Sequence, residues 1–92
     1  MEYKRVLLTG ASGTLGKEII NSNKINKLLA PSKDILDITQ PDTIKKFFEN
    51  NDFDAIIHCA AMARMMECHE NPDKAIETNI IGTSNLVMEV LK

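Results

Sequence analysis

Ninety-two residues carrying 11 basic and 13 acidic side chains, for a net charge of -2, make one small domain near the size at which buried area only just outweighs chain entropy. No basic block or aromatic ladder is present to neutralise phosphate backbones, which argues against nucleic acid as a partner. No apolar run nears the roughly 20 residues that span a bilayer, and Met1-Glu2-Tyr3-Lys4-Arg5 leads straight into a strand pattern, so neither a membrane nor an export signal is expected, the chain is expected in the cytoplasm, and Cys59 and Cys68 are expected as reduced thiols.

Residues 4–9 carry Val6, Leu7 and Leu8 in succession, the pattern of a strand covered on both faces. Gly10, Gly13 and Gly16 follow at the spacing G-x-x-G-x-x-G. They predict a turn out of the strand at Gly10, a bare backbone for a diphosphate at Gly13, and close helix-sheet packing at Gly16. A helix is predicted over 14–21, with Leu15, Ile19 and Ile20 on one side. A short second strand over 27–30 ends at Pro31. Thr39 and Asp42, three places apart with Pro41 between them, predict a helix start, and Ile44, Phe47 and Phe48 give that helix an apolar face to about residue 49. Residues 53–60 read as a third strand. Residues 61–70 read as a loop or short helical segment, and Asn71-Pro72 opens a long helix through Ala75, Ile76, Ile80, Leu86, Val87 and Val90.

This alternation predicts an α/β fold: a three-layer, Rossmann-like parallel sheet with right-handed crossovers. The expected strand order is 3-2-1. The fourth strand, which would pair with the free side of the first, is absent, and that exposed edge is expected to drive self-association.

Three places carry candidate chemistry besides the glycines. An acidic residue after the second strand would mark NAD(H), because it accepts from the ribose 2′-hydroxyl and repels a 2′-phosphate. Ser32 and Lys33 stand there instead and favour NADP(H), with NAD(H) possible. Asp37 either caps the coming turn locally or accepts from an adenine amino group, with Ile38 packed on the ring. Cys59, Ala60 and Ala61 end the third strand at its carboxyl edge, where they either let a cofactor pass close to the backbone or serve tight packing. His58, Cys59, Cys68 and His69 lack zinc-ligand spacing. Met62, Met65 and Met66 form a flexible apolar cluster.

The segments Thr9-Gly10-Ala11-Ser12-Gly13-Thr14-Leu15-Gly16, Ala30-Pro31-Ser32-Lys33 leading to Leu36-Asp37-Ile38-Thr39, Ile57-His58-Cys59-Ala60-Ala61 and Asn79-Ile80-Ile81-Gly82-Thr83 resemble, in order and spacing, the N-terminal half of the extended short-chain dehydrogenases. The resemblance is nearest to the dTDP-4-dehydrorhamnose reductase branch. It implies an NADP(H)-binding Rossmann half-domain over 1–92, with a substrate domain for a nucleotide sugar absent. It also implies that Ser12, Gly13, Thr14 and Leu15 hold the pyrophosphate, Ser32 and Lys33 the 2′-phosphate, and Asp37 with Ile38 the adenine. Cys59, Ala60, Ala61 and Met62 would line the ribose and nicotinamide path, and Asn79 would help organise the active site.

Met62-Ala63 departs from the aromatic or His followed by Thr common in that family. The family's catalytic Tyr-x-x-x-Lys is missing, since Tyr3 is the only tyrosine and Leu7 stands four residues on. Carbonyl reduction needs a general acid, so this stretch alone is expected to be inactive. A non-catalytic branch resembling the regulatory subunit of methionine adenosyltransferase, and an NAD-dependent sugar-nucleotide epimerase or dehydratase, are the alternative readings.

Overall fold

Val6, Leu7, Leu8 and Thr9 are all buried and form β1 (Val6–Thr9), the strand on which the other elements are hung. The structure, a computed structural model, describes residues 5–25, 27–60 and 70–92. After β1 come α1 (Thr14–Ser22), β2 (Leu28–Leu29), α2 (Pro41–Asn50), β3 (Ala55–His58), α3 (Pro72–Ile76), a π-helical turn (Glu77–Gly82) and α4 (Thr83–Val90).

Gly10 leaves β1 with φ +77, a left-handed conformation that costs a side-chain-bearing residue about 1–2 kcal/mol. Gly13 then takes an extended conformation ahead of α1, and its amide donates to the Gly10 carbonyl at 3.1 Å to close the turn. Gly16 is explained differently from its sequence reading. A Cβ there would meet the Gly10 carbonyl oxygen at 2.1 Å, so its bareness lets α1 lie on the loop it grew from. Asn23 ends α1 at φ 58, with its amide on the Ile20 carbonyl, as expected of a residue that tolerates the left-handed cap.

All described strand pairs are parallel, as the alternation of elements requires, but the order is β2-β1-β3 rather than 3-2-1. Strand β2 offers β1 only two ladder positions, Val6↔Leu28 and Leu7↔Leu29. The opposite edge of β1 pairs along its whole length, from Val6↔Ala55 to Thr9↔His58, so β3 gains twice the ladder there. It takes the place foreseen for a fourth strand. With both edges of β1 paired, the expected self-association through that strand loses its site. The chain steps one way from β1 to β2 and back across β1 to β3, and right-handed crossovers in opposite directions place α1 and α2 on opposite faces. The three layers follow.

On one face, Leu7 packs with Leu36, Ile38, Ile44 of α2 and Leu86 of α4, bordered by Phe47, Phe48, Phe53 and Ile56. Phe48 and Phe53 meet edge to face at 4.9 Å. Leu36 and Ile38 belong to no helix or strand, yet are buried. Helix α2 begins after Gln40 with Pro41 in its first turn and no side-chain cap, so the cap foreseen at Thr39 is replaced by one residue's shift. The long last helix runs through 72–90 as expected but is widened by the π turn, and Asn71 makes no side-chain cap bond. The predicted loop over 61–70 lies almost wholly outside the described residues. Among those described, no helix is long and apolar enough to cross a membrane.

Candidate nucleotide site

Reversal of direction at β1 creates a topological switch point between β1 and β3, and open parallel sheets bind ligands at such a point beyond the carboxyl ends of the strands. A cleft of about 710 Å³ lies there. One wall is the loop Gly10, Ala11, Ser12, Gly13, and the other is the irregular chain after β2, from Ala30 through Lys33 and Asp34 to Leu36, Asp37, Ile38 and Thr39. Thr9, Cys59 and Ala60 form the floor, and Thr78 reaches in from the π turn.

Of the residues singled out in the sequence, the fold brings together Gly10, Ser12, Gly13, Ser32, Lys33, Asp37, Ile38, Cys59 and Ala60. Thr14, Leu15 and Gly16 fall behind the lining in α1, and Asn79 lies outside it while its neighbour Thr78 is inside. Ala61 and Met62 lie outside the described residues. Cys68 and His69 lie outside the described residues, among which no group of His, Cys, Asp and Glu is placed to hold an ion.

Gly13 distinguishes a ligand cradle from a structural turn. A Cβ on it would come no closer than 3.5 Å to the Gly10 oxygen, an ordinary contact, so internal packing does not demand a glycine there. The open backbone faces solvent at the start of a nine-residue helix, whose unpaired amides and dipole favour an anion.

Asp37 makes the local cap of its first sequence reading. Its Oδ1 accepts from the Thr39 amide at 3.0 Å and the Thr39 hydroxyl at 2.6 Å, which is the local cap. Burial works to raise its pKa, but the two Thr39 bonds and the Lys33 charge together hold it below the ordinary 3.8, so it faces the cleft as a carboxylate. The Thr43 hydroxyl braces the same turn, accepting from the Asp37 amide at 2.9 Å.

Sequence reading missed the floor's hydrogen-bond relay. Thr9 Oγ1 accepts from the amides of Cys59 and Ala60 at 3.2 and 3.3 Å, which commits its proton to His58 Nδ1 at 2.5 Å. His58 is therefore the Nε2–H tautomer and donates to Thr83 Oγ1 at 2.9 Å. Burial depresses its pKa below 6.5, and a proton on Nδ1 would oppose the Thr9 hydroxyl. The relay ties β1, β3 and α4 together under the cleft. Its signal in the sequence is only the equal distance of Thr9 and His58 from the ends of two parallel strands.

The family model described as RmlD substrate binding domain matches residues 4–91. A dTDP-4-dehydrorhamnose reductase of Mycolicibacterium smegmatis is 31% identical over 85 residues, which is 90% of this chain and 25% of that protein. The crystal structure of a dTDP-4-dehydrorhamnose reductase from Clostridium acetobutylicum superposes with a TM-score of 0.83 at 34% identity, covering 95% of this chain and 32% of that one. The enzyme of the same name from Bacillus anthracis, solved in complex with NADP, gives a TM-score of 0.83 at 30% identity, covering 97% and 32%. The chain thus spans between a quarter and a third of the length of these relatives.

Proposed function

Because the chain belongs to the RmlD substrate binding domain family, we propose that residues 1–92 are the NADP(H)-binding portion of a nucleotide-sugar oxidoreductase resembling dTDP-4-dehydrorhamnose reductase. The observation that carries this reading is Gly13, bare at the mouth of α1 although the fold has room for a methyl group, in a cleft at the switch point of the sheet.

In this reading the amides of Ser12, Thr14 and Leu15 take the pyrophosphate, which lies against the bare Cα of Gly13, whose own amide closes the turn on the Gly10 carbonyl, with Gly10 and Gly16 shaping the loop. Ser32 and Lys33 take the 2′-phosphate, Asp37 and Ile38 the adenine, and Cys59, Ala60, Ala61 and Met62 the ribose and nicotinamide path, while Asn79 orders the reacting end. When bound, the cofactor supplies a hydride. The chain's own residues bind and orient it, and none supplies the proton a carbonyl must receive, since Tyr3 is the only tyrosine and no lysine stands four residues on. Reduction of a nucleotide sugar therefore needs groups beyond these 92 residues.

Calorimetry with NADPH and NADH tests the assignment. NADPH is expected to bind more tightly, and Lys33→Ala is expected to cost about 1 kcal/mol toward NADPH while leaving NADH unchanged, the loss of one charge-assisted contact to phosphate. Absence of binding by either nucleotide overturns the proposal, and a preference for NADH overturns its NADP(H) part.

A further inference from the structure

The wall that would face the adenine is not held in place by its own secondary structure. Residues 34–39 form turns, and their local bonds, Thr39 to Asp37 and Thr43 to Asp37, fix only the shape of the turn. Where the turn hangs is set from behind. The Asn85 Nδ2 donates to the Ile38 main-chain carbonyl at 2.9 Å, and a Cβ on Gly82 would stand 2.8 Å from both Cγ1 and Cδ1 of Ile38. Ile38 is left 4% exposed.

Gly82, Asn85 and Leu86 are spaced i, i+3, i+4 and so share one helix face. That face meets the wall through a missing side chain, a hydrogen bond and a core contact. The π turn ends at Gly82 and carries Thr78 into the cleft. π turns cluster at functional sites. Neither Gly82 nor Asn85 lines the cleft, so neither touches what binds in it.

We infer that Asn85 and Gly82 are positioning residues for the adenine end of the ligand. They clamp Ile38 from behind and, through the shared turn, fix the distance of the Asp37 carboxylate from the glycine loop. The inference rests on the proposed cofactor reading. It adds that selection for the purine end is set by two helix residues outside the cleft, independently of the phosphate-binding loop.

Three ligands separate the possibilities in equilibrium dialysis at millimolar concentration: NADPH, adenosine 2′,5′-bisphosphate, and reduced nicotinamide mononucleotide, which has no adenine. Asn85→Asp replaces the donor with an acceptor of the same shape. It is expected to weaken the two adenine-bearing ligands about fivefold, the scale of one lost hydrogen bond, and to leave the mononucleotide unchanged. Asn85→Ser retains a donor and should recover part of the loss. Gly82→Ala should reproduce the pattern by displacing Ile38, and carries the comparison if Asn85→Asp does not melt cooperatively. An equal loss for all three ligands, or no loss in either variant, overturns the inference. Failure of the unaltered chain to bind any of the three overturns the cofactor reading, and this inference with it.

Discussion

The two walls of the cleft are built by opposite means. From Gly10 to Gly13 the wall is made by omitting side chains. Its turn is closed by one backbone bond, its last residues are exposed, and its first, Gly10, lies against the backbone of Cys59 and Ala60. From Ser32 to Thr39 the wall is made by side chains. Leu36 and Ile38 enter the core, Asp37 is bonded to Thr39 and Thr43, and Asn85 reaches across from another element. The bare backbone at Gly13 has room to be altered without unfolding the protein, whereas a wall that is also core does not. Recognition and stability are separable on one side of the cleft and joined on the other.

Leu36→Ala puts this contrast under the greatest load. Leu36 is 6% exposed and lines the cleft, so truncation should cost about 3 kcal/mol in urea denaturation and weaken NADPH binding as well. Gly13→Ala should do the reverse. The added methyl meets nothing closer than 3.5 Å, so stability should fall by less than about 1 kcal/mol, while NADPH affinity should fall about tenfold through collision with the ligand. If Gly13→Ala destabilised the fold as much as Leu36→Ala, the distinction between the walls would be lost.

The smallest effect concerns the floor that joins the walls. Burial depresses the His58 pKa below 6.5. Between its folded value and 6.5 the unfolded chain therefore binds more protons than the folded one, and stability rises with pH across that window. Thermal melting should show a plateau above pH 6.5 and a decline below it, and His58→Gln should flatten the decline. The lowered pKa of Asp37 acts in the same direction but in a separate window below 3.8, so the two are distinguishable.

What was legible in the sequence follows from how local each feature is. The turn at Gly10, the helix after Gly13 and the Asx contact of Asp37 with Thr39 involve residues a few places apart, and local chemistry specifies them. Strand type was legible because Val6-Leu7-Leu8 and Ala55-Ile56-Ile57 are apolar on both faces. Strand order was not, because nothing within those runs says which edge of β1 they will pair with. Along β1 the third strand takes four ladder positions and β2 takes two. The relay from Thr9 through His58 to Thr83 and the clamp of Ile38 by Gly82 and Asn85 join residues at least 25 apart, so they appear only once register and packing are known. The corrected order also explains the site, since β1 flanked on both sides is what makes a switch point.

The proposed site seats a diphosphate against the exposed backbone between β1 and α1. An amide-resolved NMR titration of the chain with NADPH tests it most directly. Saturable shifts are expected to centre on Gly10, Ser12 and Gly13, with smaller ones at Lys33 and Asp37. Shifts confined to other surfaces, or none at the glycine amides while the nucleotide binds, would contradict it.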